Sequence, residues 1–275
     1  MSHDDTTPVP AAWLALREPE DERARAAVTD GLLDHLALPA ADRPLRVVDL
    51  GAGTGANLRH LAPALAARGY AQEWLLLDHD DDLLRRTADA PAPAGVVVRP
   101  RLGDLAGLAD ALGDGADLVT CAALLDLLRP DQVADLAAAL ADAGVPALLA
   151  LTVTGGVALD PPHAHDDALR AAFDAHQRRG GRLGPDAAGV AAQTLAAAGA
   201  RVLAVATPWH LGPAAPDLAD AWLEGRAGAA VAQDPALERD ADAWLAQRRE
   251  QLAAGRLRAV VEHVDLAAAP AAAPR

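Results

Sequence analysis

The chain has 275 residues and a formal net charge of −15, from 24 basic residues, all of them Arg, and 39 acidic ones. That balance argues against a protein that grips nucleic acid through its phosphates, which takes clustered positive charge, and it does not exclude a small-molecule partner. One cysteine, Cys121, excludes an internal disulfide and suits a reducing cytoplasm; the acidic start Met1-Ser2-His3-Asp4-Asp5 is no signal peptide, and no apolar run reaches the ~18 residues of a membrane span.

Residues 1–11 read as disordered, and a single domain is expected over 12–267. Its helical cap, 12–43, holds Trp13 as a packing anchor, with a lid over the site as the other reading. A helix is expected from about Asp21 to Leu38, apolar at Ala27, Leu32, Leu33 and Leu36, and ended by Pro39 and Pro44.

The next stretch is the most informative. Arg46-Val47-Val48-Asp49-Leu50 has the composition of a buried parallel strand. It breaks into Gly51-Ala52-Gly53-Thr54-Gly55, and Asn57-Leu58-Arg59-His60-Leu61 then has helical spacing. Glycine is needed where backbone turns sharply and a ligand approaches without a Cβ in its way. The pattern is G-x-G-x-G, with Ala56 where a dinucleotide fold wants its third glycine. Asp49, two residues before the first glycine, suits a positively charged ligand better than a pyrophosphate.

Asp49-Leu50-Gly51-Ala52-Gly53-Thr54-Gly55 resembles the first motif of the class I S-adenosylmethionine (SAM)-dependent methyltransferases, and the resemblance spans nearly the whole chain. It implies SAM as cofactor, with Asp49, Gly51, Ala52, Gly53, Gly55 and Asn57 around it. Trp74-Leu75-Leu76-Leu77-Asp78 reads as the second strand, and by resemblance Asp78 accepts hydrogen bonds from the ribose hydroxyls. His79 either packs against ribose or adenine or is simply exposed. Asp80 to Asp82 read as helix caps. Gly95 to Val98 is the third strand. Beyond it Asp104 would receive the adenine amino group and Leu105 would contact the ring. Asp117 to Asp126 is the fourth strand and its loop; Cys121 borders the cofactor there as a small buried residue rather than a nucleophile. Cys121-Ala122-Ala123-Leu124 lacks the Asn-or-Asp-Pro-Pro-Tyr signature of nucleobase-methylating relatives.

A helix over Val133–Ala143 precedes a fifth strand from Pro146 to Val153 that ends at Gly155-Gly156. Helices follow at about 166–178 and 183–198, then a sixth strand from Ala200 to Val205. An inserted helical pair, about 214–256, separates this from a last strand at 257–266, and 268–275 read as a disordered tail. The fold class is therefore α/β, a three-layer Rossmann-like methyltransferase fold. Resemblance supplies its sheet order, 3-2-1-4-5-7-6, seven strands with the last antiparallel. Trp13–Pro19, Phe173–Arg178 and Trp209–Pro213 are also similar to an uncharacterised actinobacterial-type subgroup of methyltransferases.

Methyl transfer from a sulfonium is an in-line displacement in which positioning supplies much of the rate, and a hydroxyl or ammonium acceptor must also lose a proton. His176 ranks first as the base, with Gln177 as an orienting partner at the substrate and Asp126 next; His163, His165 and His210 are further candidates. A metal at His163-Ala164-His165 with Asp166 or Asp167 is a weak reading, and no metal is expected. Trp209 either covers an apolar or cationic acceptor or plugs the core. Arg17 either binds the methionine carboxylate or an acidic substrate, or pairs with Glu18 or Glu20. The expected activity is methylation of an oxygen or nitrogen on a small molecule. A catalytically degenerate SAM-binding partner or sensor is the alternative, and a nicotinamide oxidoreductase is disfavoured by Asp49 and Ala56.

Overall fold

A computed structural model describes residues 10–40, 42–89 and 91–271, so the disorder expected for residues 1–9 and 272–275 lies outside the described residues. Two helices, α1 (Ala11–Arg25) and α2 (Thr29–Leu36), precede β1 (Leu45–Leu50). Alternation follows through α3 (Ala56–Ala67), β2 (Gln72–Asp78), α4 (Asp81–Asp89), β3 (Val96–Leu102), α5 (Leu108–Gly113) and β4 (Leu118–Ala122). Next come α6 (Pro130–Ala143), β5 (Ala147–Asp160), α7 (Asp166–Gln177), α8 (Ala187–Ala197) and β6 (Arg201–Ala206). A short β7 (Trp209–Leu211), α9 (Pro216–Gln233), α10 (Glu238–Ala253) and β8 (Arg258–Ala269) complete the chain.

The sheet runs β3-β2-β1-β4-β5-β8-β6, with β7 paired to β8 off this path. The first five strands are parallel, and β8 is antiparallel to β5, β6 and β7. This is the order the resemblance implies, with one strand more than the seven expected. The extra strand follows from the length of β8. Its C-terminal half pairs with β6 as far as Val264, and Trp209 to Leu211 cover Val261 to Ala259 beyond it. β8 also continues to Ala269, so the expected tail is strand at its first two positions, as Ala11 is already helix.

Two further expectations fail for one reason, that contacts distant in sequence override a local breaker. The fifth strand does not stop at Gly155-Gly156 but runs through them to Asp160 with register shifts against β8. A Cβ on Gly156 would lie 2.7 Å from Glu262 Cγ, so the glycine permits close strand approach rather than ending the strand. The first helix likewise starts at Ala11 and carries Pro19 within it. Contacts from β7 hold it just beyond that proline, Glu20 accepting the His210 N–H at 2.7 Å and Asp21 accepting from Trp209 Nε1 at 3.0 Å.

Apolar side chains form three cores. Leu45 and Val47 of β1 face α2, α3 and α4, whereas Val48 and Leu50 face α5, α6 and α8, so strand alternation builds a core on each side of the sheet. The third core lies where β7 and the outer halves of β5 and β8 meet α1, α7, α9 and α10, around Trp209, Leu223 and Trp244.

A buried polar network joins the first two layers to the third. Asp265 accepts from Arg25 Nε at 3.1 Å, from the Leu151 N–H at 2.8 Å and from Thr207 Oγ1 at 2.8 Å. Arg25 Nη1 donates to Asn57 Oδ1 at 3.0 Å, and Asn57 Nδ2 donates to Asp49 Oδ1 and Thr120 Oγ1, both at 2.8 Å. Removing one partner of a buried ion pair strands the other charge. Arg25→Met should therefore cost about 3–5 kcal/mol in denaturant unfolding, and Arg25→Met with Asp265→Asn, which keeps an acceptor for Leu151 and Thr207, should recover more than half of that.

Candidate functional site

The carboxyl ends of β1, β2 and β4 form a crevice, the place where parallel α/β sheets take ligands. Its rim is the glycine loop. Gly51, Gly53 and Gly55 have φ of 61°, 54° and 77°, a conformation closed to most side-chain-bearing residues. The Gly53 N–H donates to Asp78 Oδ2 at 2.7 Å, and Asp78 Oδ1 accepts from the Asp80 N–H at 2.9 Å. Asp78 thus fixes the loop at the end of β2 and retains lone pairs for a ligand.

The crevice opens into one cavity of about 510 Å³. It brings together most of the residues singled out from sequence. Gly51, Ala52, Gly53, Asn57, Asp78 and His79 line one part; Arg17, Asp126, Gln177 and Trp209 line the rest. His79 lines the cavity and is also well exposed. Asp126 is partly buried, and burial pushes its carboxyl up from its ordinary value.

Others stand elsewhere. Asp49 lies just beneath the loop, fully buried, with Oδ2 unpartnered. Gly55 does not line the cavity; a Cβ there would come 2.7 Å from Thr87 Cγ2, so its glycine serves packing at the start of α3. Asp104 is exposed and Leu105 packs toward the α5 and α6 core, neither lining the cavity. Cys121 is buried without reaching it, and burial first, then the Asp49 charge, pushes its thiol far up, so it is inert. His176 is likewise absent from the lining. Burial, then Arg179 and Arg182, holds its imidazole below the ordinary value, and its Nδ1 is unpartnered. In the His163–His165 loop, Asp166 is committed to Arg248 at 2.5 and 2.7 Å and to Trp244 Nε1 at 2.7 Å, which engages one of the two carboxylates the metal reading named as third ligand.

The far part of the cavity was largely hidden from sequence. Arg17 pairs with neither Glu18 nor Glu20 but with Asp21, through Nε at 2.8 Å and Nη2 at 3.2 Å. Asp21 also accepts from Trp209 Nε1 at 3.0 Å, so its oxygens are engaged and it works as a clamp. Trp209 is buried, with the Arg17 guanidinium 4.9 Å over its ring, Trp13 at 6.4 Å and His263 at 4.8 Å. It is both core and cavity wall. Burial drives the His263 imidazole down to about 4, so it is neutral. Trp13, Phe173 and Trp222 line the same cavity, which with Trp209 takes three of the chain's five Trp and its one Phe. Two sequence signals pointed this way: period-two alternation puts Val261 and His263 on one face of β8, and Trp222 and Arg226 stand four apart on α9.

Burial, against the Asn57 hydrogen bond and the Arg25 charge, pushes the Asp49 carboxyl up to about 7 from its ordinary 3.8. A raised carboxyl contributes stability that is complete below the unfolded value and is lost as pH rises through the folded one. Asp49→Asn, which keeps an oxygen for Asn57, should therefore raise the Tm at about pH 8 and leave it nearly unchanged at about pH 4; a gain equal at both would show that Asp49 does not titrate as its burial demands.

Residues 47–146 match the family described as a methyltransferase domain. No curated protein matches the chain. Among solved structures, the cyclopropane synthase MmaA2 of Mycobacterium tuberculosis superposes with a TM-score of 0.53 at 17% identity, over 96% of this chain and 100% of that one. YcgJ of Bacillus subtilis superposes at 0.49 with 13% identity, over 90% of this chain and 100% of its own. The mycolic acid cyclopropane synthase CmaA1 follows at 0.48 with 14% identity, over 89% and 85%. The match to MmaA2 is a likeness of fold, and the fold is the Rossmann-like methyltransferase one.

Proposed function

We propose that the protein transfers a methyl group from SAM to an oxygen or nitrogen of a small-molecule acceptor. The observation that carries this is continuity: a glycine-loop crevice suited to SAM and an aromatic-walled chamber form one cavity. The residues present fit the cofactor. Asp78 offers carboxylate lone pairs to ribose hydroxyls, the loop exposes backbone without Cβ atoms, and a cationic ligand would favour the charged form of the buried Asp49 carboxyl. A pyrophosphate would gain nothing from that carboxylate, and Ala56 lines the cavity where a dinucleotide site wants glycine.

Bound there, SAM would supply an activated methyl. The chain's own part is to hold the acceptor in line and to take a proton. Asp126, just beyond β4, is the carboxylate we assign as base, because Asp21 is fully hydrogen-bonded and Asp126 accepts no side-chain donor among the described residues. The three segments similar to the actinobacterial-type subgroup all reach this chamber, through Trp13, Phe173 and Trp209, which supports reading it as the acceptor site.

Calorimetric titration with SAM, S-adenosylhomocysteine and NADH separately should show binding of the first two alone. NADH binding alone would overturn the reading. Binding without transfer of tritiated methyl to any acceptor fraction would favour the degenerate module. Asp78→Ala should weaken S-adenosylhomocysteine about tenfold or more, the loss of a charge-assisted hydrogen bond.

A further inference from the structure

Among the described residues three arginines are buried: Arg25, Arg226 and Arg248. Arg25 pairs with Asp265, and Arg248 with Asp166. Arg226 has no ion pair among the described residues, and its Nη2 is buried without a hydrogen-bond partner. It is 5% exposed and lines the cavity from α9. Its guanidinium carbon sits 4.5 Å over the Phe173 ring and 5.3 Å over that of Trp222, contacts that hold the charge in place without using its N–H donors. A buried guanidinium left in this state is costly unless an anion meets it, and its planar fork suits a carboxylate or phosphate.

We infer that the acceptor carries an anionic oxygen group, carboxylate or phosphate, on an apolar or aromatic body, and that Arg226 receives it. This rests on the methyltransferase reading and names the substrate class of that site. The other charges facing the chamber confine the anion to this spot. Asp174 and Glu262 line it and repel an anion elsewhere, while Arg17 is consumed by Asp21. Asp174 is the strongest of the charges acting on Arg226 but makes no ion pair with it among the described residues; it abuts Gly155, where a Cβ would lie 3.4 Å from its Oδ2. Room for the ligand body lies beside Arg226 at Gly225, which also lines the cavity and whose Cβ would meet no atom within 4 Å.

The test is calorimetry on the full chain loaded with S-adenosylhomocysteine, using naphthalene carboxylate, naphthyl phosphate and neutral naphthalene carboxamide as probes. At least one anion should bind about tenfold or more tightly than the amide, and which one says whether the group is carboxylate or phosphate. Arg226→Gln should abolish that preference and leave S-adenosylhomocysteine affinity unchanged. Gly225→Leu, a substitution a helix tolerates well, should block all three probes, again without touching the nucleoside. Equal binding of anion and amide, no anion binding, or a preference that survives Arg226→Gln would overturn the inference. Should the protein fail to bind S-adenosylhomocysteine yet keep the Arg226-dependent preference without it, the cofactor reading falls and the anion subsite stands.

Discussion

The structure hangs on one buried carboxylate. Asp265, in the middle of β8, accepts from Arg25 on α1, from Thr207 between β6 and β7, and from the Leu151 N–H of β5. Leu151 has a φ of 54° at the irregularity between Leu149 and Thr152, a conformation unfavourable for a leucine. The bulge takes its N–H out of the ladder, and Asp265 gives it a partner. From that point β5 and β8 run outward beyond the parallel sheet, and their outer halves line the far part of the cavity. A carboxylate one residue earlier or later on β8 would point to the opposite face and do none of this.

The same carboxylate sets the position of α1, which is why the helix serves both halves of the site. Leu14, Arg17 and Asp21 line the cavity and Arg25 enters the buried network, so residues three and four apart present one face. Leu14 reaches the glycine loop closely enough that a Cβ on Gly53 would lie 3.3 Å from its Cδ1. Arg17 and Asp21 meet Trp209 at the other end of the chamber. Tension in the charge network, with Arg25 Nη2 and Asp49 Oδ2 both unpartnered, lies directly below the place where ligand charge is expected.

Legibility followed sequence distance. The β1 strand, the glycine loop and the acid ending β2 were readable because strand composition, turn chemistry and helix start lie within a few residues of one another. Asp78 holds Gly53 only 25 residues away. The Arg17 partner was misread because Asp21, four residues on in the same helix, is oriented by Trp209, 188 residues distant. His176 ranked first as a base because its segment was expected to border the mouth, but which face of α7 meets the cavity is decided by α9, packed against it, and that face carries Phe173, Asp174 and Gln177. Gly155-Gly156 read as a stop because a strand's partner, here Glu262 on β8, is invisible locally.

The division into three cores separates the glycine-loop crevice from the far part of the chamber. The segment matching the methyltransferase domain, 47–146, ends just before β5, so it contains the glycine loop, Asp78 and Asp126 but none of the far chamber wall. That wall is built on the third core, from α1, α7, α9 and the outer parts of β5 and β8, and it contributes no apolar residue to the two cores flanking β1. Substitutions on α9 can therefore reshape the acceptor chamber while leaving the loop geometry to Asp78, Asn57 and the network beneath them. Such separation lets a buried cation persist at Arg226: its cost is borne by a core that does not hold the cofactor crevice, and an acceptor's own charge offsets it only when the chamber is filled.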